Sequence, residues 1–196
     1  MSTYPSESEC IDILRNAGCE KRVIVHCCTV RTVAEQFMKK IKCDRDVVIA
    51  GSMLHDIGRA KDHSIFHAAI GADMAANLGL PSKIVDIIRK HTGAGLDFQD
   101  VMDMGLPPGD YMPSTIEEKI VAHSDNMVSD NSVVPHIYSV NKLVKKGIIR
   151  GAFRIQSLHS ELSNIYGTDL DAIVNILGEH PVLVGPCGHI VDRYQW

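Results

Sequence analysis

No stretch of this chain approaches the roughly 18 consecutive apolar residues that a membrane-spanning helix needs. The first residues, Met1-Ser2-Thr3-Tyr4-Pro5-Ser6-Glu7, lack the basic and apolar blocks of a secretory leader. Basic charge is not in excess either. Twenty Lys and Arg against 24 Asp and Glu leave a formal charge of −4, which argues against a general nucleic-acid or membrane-surface binder. The six cysteines (Cys10, Cys19, Cys27, Cys28, Cys43 and Cys187) form no C-x-x-C pair and are expected to be reduced and mostly buried. There is no P-loop, no dinucleotide-binding glycine pattern and no Ser-His or Cys-His nucleophile signature. Internal repeats, low-complexity segments and period-2 strands are also absent. The expectation is a soluble, cytoplasmic, all-α protein with no membrane and no clear nucleic-acid partner. A homo-oligomer is compatible with the sequence.

Among the 196 residues 45% are apolar, enough for a real core in one domain with extensions. Ser6 and Glu9 form a capping box that opens a first helix, ended by Gly18. An amphipathic stretch follows over about 20–42. Asp44 caps a run through Val47, Val48, Ala50, Met53 and Leu54 that is apolar nearly all round and reads as the central buried helix. Further helices are predicted over 65–78 and from Pro81 to His91. Residues 93–113 hold Gly93, Gly95, Gly105 and Gly109, three prolines and four aspartates, and read as a long acidic loop. Charge repulsion from that loop speaks mildly against a highly charged polyanionic substrate. Ser114 and Glu117 suggest a second capping box, ahead of a helix containing Asp125. Three helices are expected near 137–146, 151–166 and 169–178, then an irregular tail from Pro181.

The chemistry-bearing residues cluster at His55-Asp56-Ile57-Gly58, where the central apolar run stops. An imidazole and a carboxylate on adjacent residues can ligate one divalent metal. His26 lies upstream, His67, His91 and Asp125 downstream, each in or at the end of a helical segment with an apolar face. An ionisable group on such a face must be paired or metal-bound to offset its desolvation. Taken singly, each histidine is equally compatible with a hydrogen-bonded core or surface residue. Cys27 and Cys28 beside His26 read as small core residues. Arg59, Lys61 and Thr92 are the candidate substrate contacts, the two cations suiting a phosphate. His63, four residues before His67, is a candidate general acid. His123 should point away from Asp125's face, and His136, His159, His180 and His189 read as structural or surface. The basic stretch Lys142, Lys145, Lys146, Arg150 and Arg154 reads first as a solvated helix face, the alternative being a contact with a nucleotide's phosphates or RNA.

The order His26, His55-Asp56, Asp125 resembles the HD superfamily of metal-dependent phosphohydrolases, and the string His55-Asp56-Ile57-Gly58 resembles the signature of its HDIG subgroup, including archaeal HDIG proteins. The segment with His67, His91 and Glu118–Asn126 is similar to bacterial enzymes that split diadenosine tetraphosphate symmetrically. The resemblance covers about residues 20–130. It implies an HD-domain-like helical bundle, with 1–19 and 131–196 packed on it as extensions. It also implies one or two divalent metal ions (Fe, Mn, Co, Ni, Mg or Zn) held by His26, His55, Asp56, His67, His91 and Asp125. In that arrangement Asp56 bridges and is itself catalytic. The implied reaction is hydrolysis of a phosphate ester or anhydride of a small nucleotide-like substrate by metal-activated water. A di-iron oxygenase and a non-catalytic metal- or nucleotide-binding module are the alternatives.

Overall fold

The computed structural model describes residues 3–193 and is all-α apart from one small hairpin. Helix α1 (Glu7–Ala17) opens with the reciprocal Ser6–Glu9 capping box and stops at Gly18, whose φ of 91° is the left-handed conformation that glycine adopts freely. Helix α2 (Lys21–Phe37) buries most of its length. Helix α3 (Arg45–Leu54) starts where the Asp44 side chain accepts from Val47 N. It packs against α1, α2, α5 (Ser82–Lys90) and α7 (Ile116–Asn126), so the apolar run does become the central helix. Between α3 and α5 come a 3-10 turn (Ile57–Ala60) and α4 (His67–Asn77), which packs on both that turn and α5. After α7 the strands β1 (Val128–Ser129) and β2 (Ser132–Val133) pair antiparallel. Helices α8 (Ile137–Lys145), α9 (Ile149–Tyr166), α10 (Ala172–Leu177) and α11 (Pro186–Val191) complete the described chain. Among the described residues no helix is long and apolar enough to cross a membrane.

Five expectations need correction. Residues 93–113 are not one loop, because α6 (Phe98–Met104) forms inside them. It is opened by a capping box between Asp97 and Asp100 and closed by Gly105 at a φ of 67°. The capping box of α7 sits one residue later than expected, on Thr115 and Glu118. Glu117 instead reaches across to accept from Asp44 N at 2.8 Å. Arg150 and Arg154 are not a solvated face. Arg154 bonds Asp97 and Asp100, and Arg150 bonds Asp100 and Asp103, so α9 neutralises the acidic segment. The tail from Pro181 contains α11 in place of irregular chain, with Pro186 in its first turn. Its last residues, 194–196, lie outside the described residues. Finally, Cys28 is disulfide-bonded to Cys187 across 159 positions, tying α11 to α2. Cys10, Cys19 and Cys27 are buried and free.

The glycine that ends the His55-Asp56-Ile57-Gly58 string has a packing role. The 3-10 turn lies directly against the start of α4. A methyl group on Gly58 would overlap the His67 carbonyl oxygen and sit 2.7 Å from Gly71 N. Backbone against backbone cannot yield by a rotamer change. Gly58 therefore sets how closely His67 approaches His55 and Asp56. Gly58→Ala is expected to destabilise the fold by about 1–3 kcal/mol, the usual cost of overpacking, read as a lowered thermal midpoint. An unchanged midpoint would mean the turn and α4 are free to separate.

Candidate metal centre

Four histidines reach one space from four elements. His26 lies in the second turn of α2, His55 at the end of α3, His67 at the start of α4 and His91 just after α5. Each ring is held from behind by a backbone carbonyl on its Nδ1. The carbonyls are those of Asp130 for His26 (2.6 Å), Ser52 for His55 (2.8 Å), Ser64 for His67 (2.6 Å) and Ile88 for His91 (2.7 Å). A carbonyl oxygen can only accept, so each Nδ1 carries a proton and Nε2 is the ring atom turned inward. For His26 the carbonyl comes from the β1–β2 hairpin, where Asp130 takes a φ of 54° that an aspartate tolerates.

The inward atoms fall into two groups joined by one carboxylate. His26 Nε2 and His55 Nε2 are 3.3 Å apart, and Asp125 Oδ1 lies 3.0 and 3.6 Å from them. His67 Nε2 and His91 Nε2 are 3.0 Å apart. Asp56 lies between, with Oδ2 at 3.7 and 3.8 Å from the first pair and Oδ1 at 3.3 and 3.4 Å from the second. Although buried, Asp56 Oδ1 has no well-aligned hydrogen bond. Lone pairs facing one another across about 3 Å repel unless a proton or a cation lies between them. Donors at 2.0–2.2 Å from a common ion stand ~3.0–3.6 Å apart, which matches most of these separations. The residues present therefore fit divalent cations.

The charges agree with that fit. Burial works against the Asp56 carboxylate, yet His55, His67, His91 and His26 hold its pKa well below the usual carboxylate range. Asp125 is likewise held low, burial being outweighed by His26 and His55. Burial also lowers His91, which favours the neutral ring a metal needs. His26 differs. Burial opposes its charge, but Asp125 and Asp56 hold its pKa up to about 9.

A polar cleft of about 330 Å³ opens onto the first group and is lined by His26, Asp56, Asp125 and Arg59 among others. Arg59 Nε donates to Asp56 Oδ2 at 2.5 Å, so this arginine first orients the bridging carboxylate. His63 stands exposed on the cleft's rim. Lys61 is exposed and does not line the cleft. Thr92 lies beside the buried His91, away from the cleft lining, with Oγ1 buried and unpartnered. The cleft also contains Arg22, which the sequence did not mark, and Lys142 from the basic stretch.

A second histidine group lies behind Asp125. His123 does point away from the centre, and its Nε2 meets His159 Nδ1 at 3.0 Å. His136 bonds Asp171 and Gln156, and His159 bonds Asp169. The rings of His136 and His159 stack with centroids 3.5 Å apart and 14° between planes. An imidazole binds a metal in its own plane, and planes so nearly parallel share no point near both rings. This group is a hydrogen-bonded seam joining α7 to α9 and α10.

A family profile described as HD domain matches residues 23–130, more than half of the chain, and the protein belongs to the HD domain family. The tRNA (cytidine(56)-2'-O)-methyltransferase of Picrophilus torridus is 43% identical over 173 residues, covering 88% of this chain and 51% of that protein. The chain thus spans about half the length of that curated relative. An uncharacterised protein of Methanocaldococcus jannaschii is 37% identical over 163 residues, covering 79% of this chain and 95% of its own. The HD domain of the phosphodiesterase PgpH from L. monocytogenes, solved in complex with cyclic-di-AMP, superposes with a TM-score of 0.53. It is 20% identical and covers 81% of this chain and 93% of that one, a likeness of fold.

Because His26 is protonated below about pH 9 in the metal-free protein, cation binding near neutral pH must displace that proton. Titration calorimetry with Mn²⁺ at pH 7.5, in buffers of differing ionisation enthalpy, should show release of about one proton per chain. Affinity should rise with pH towards 9. Heats independent of buffer would contradict this assignment.

Proposed function

We propose that the protein is a metal-dependent phosphohydrolase that attacks a phosphate ester or anhydride of a nucleotide-like substrate. The observation that carries this reading is the set of four Nε2 atoms and two carboxylates converging on one space, with every Nδ1 fixed from behind. His26, His55, Asp125 and Asp56 would hold one divalent cation, and His67, His91 and Asp56 a second. Four imidazoles favour Fe, Mn, Co, Ni or Zn over Mg. Cations bound there would supply an activated water and neutralise charge on the phosphate.

The chain's own residues do the remaining work. Arg59 holds Asp56 in the bridging position. Buried His55, His67 and His91 keep bulk water from the floor of the site. His63 on the rim is placed to move a proton at the leaving oxygen. Lining cations favour an anionic substrate over the neutral one an oxygenase could take, and this ranks hydrolysis ahead of di-iron oxygenation. The acidic segment no longer argues against a polyanion, since α9 arginines pair with Asp97, Asp100 and Asp103. With a relative named for tRNA modification, nucleic acid belongs among the candidate substrates, against the first expectation. Methyl transfer is named for a protein about twice as long, and the donors gathered here give no support to it in this half.

Bis(p-nitrophenyl) phosphate is the simplest test. Mn²⁺, Co²⁺ or Fe²⁺ should elicit hydrolysis by the native chain. Asp56→Asn and His91→Ala should each lose at least the 10- to 100-fold that removal of an outer-shell metal partner typically costs. Oxygen consumption without phosphate-ester cleavage would favour the oxygenase. Neither activity, with metal bound, would leave a binding module.

A further inference from the structure

The C-terminal extension places one cation in the cleft that the metal centre does not use. Lys142 lies on α8, beyond the residues matched by the HD domain family. It lines the same cleft as His26, Asp56 and Asp125. The position of α8 is fixed from both sides. Ser139 Oγ donates to the Asn126 carbonyl at 2.8 Å, one residue after Asp125, and His136 bonds Asp171 through both N and Nδ1. Ser139 and Lys142 are three residues apart, share one helix face and both line the cleft.

The three cations of the cleft differ in how far they are already engaged. Arg59 is bonded to Asp56. Arg22 also lines the cleft and donates from Nε to Glu20 at 2.7 Å. Lys142 has no carboxylate within ion-pair distance among the described residues. Helix α8 buries none of its residues, so Lys142 is not held in the cleft by burial. Asp130 is the lining carboxylate outside the metal donor set. A volume of about 330 Å³ is that of a small-molecule site and exceeds the needs of one phosphoryl group.

We propose that Lys142 holds a second phosphate of the substrate, adjoining the one attacked at the metal donors. This rests on the phosphohydrolase reading. The ligand is therefore a substrate with at least two phosphates in sequence, either a nucleoside diphosphate-type anhydride or the end of an oligonucleotide. A lysine ammonium suits such a contact as a point charge that follows a mobile phosphate.

Lys142→Ala and Lys142→Arg, in the full chain, test it with three probes. Bis(p-nitrophenyl) phosphate carries one phosphate, ADP two joined by an anhydride, and the 5'-phosphorylated dinucleotide pApA two joined through a ribose. Lys142→Ala should affect the single-phosphate ester less than either two-phosphate probe. It should raise KM about tenfold, the equivalent of about 1.4 kcal/mol, for ADP or for pApA, and whichever responds identifies the source. Lys142→Arg should restore it. Direct titration of ADP and pApA into metal-free protein gives a readout independent of turnover, with the same tenfold weakening expected in the alanine variant. Equal loss on all three probes, or on none, would overturn the proposal. Absence of ester hydrolysis by the native protein, with the binding difference retained, would overturn the hydrolase reading alone.

Discussion

Four histidines each give an Nδ1 proton to a backbone carbonyl, and the organisation of the fold follows from where those carbonyls are. Three come from three residues earlier in the chain (Ser52, Ser64 and Ile88), so a helix end or turn orients its own histidine. The fourth comes from Asp130, at the tip of a hairpin 104 positions away from His26. That hairpin is the only strand pairing longer than an isolated bridge among the described residues. Its tip supplies the acceptor that sets the His26 ring. The result is a cluster of lone pairs and carboxylates in low dielectric, costly to bury without a cation or protons to reconcile it.

The surrounding packing serves the same constraint. Gly58 lets the backbone of the 3-10 turn touch that of α4, which brings His67 up to Asp56. Gly51 on α3 faces the Ile87 side chain of α5, with a methyl there 2.7 Å from Ile87 Cδ1, a contact that side-chain rotation can relieve. Asp125 on α7 is backed by the His123–His159 contact, and so the extension after residue 131 braces the helix that carries a donor. The converging donors and the core packing are therefore one structure, with a polar cleft opening onto the first group of donors.

Much of this was legible in the sequence because it is local. Capping at Ser6, Asp44 and the Gly18 stop depend on residues three or four apart. The apolar run ending in His55-Asp56 marks the central helix by composition alone. What was missed is partly local and partly dependent on partners far along the chain. Helix α6 was hidden by the glycines and prolines around it, although the Asp97–Asp100 capping box was a readable signal. The pairing of Asp97 and Asp100 with Arg154, and of Cys28 with Cys187, involves separations that no pattern encodes. Lys142 stood in a basic stretch whose first reading was a solvated face, because its place at the cleft depends on Ser139 and His136 anchoring α8.

On the reading proposed above, the six side chains form two adjoining cation sites sharing Asp56. Anomalous scattering from crystals grown with Mn²⁺ tests it most directly. Two peaks about 3.5–4 Å apart are expected, one among His26, His55 and Asp125, the other between His67 and His91, with one Asp56 oxygen on each. A single peak, or two peaks with Asp56 bound to neither, would contradict the account.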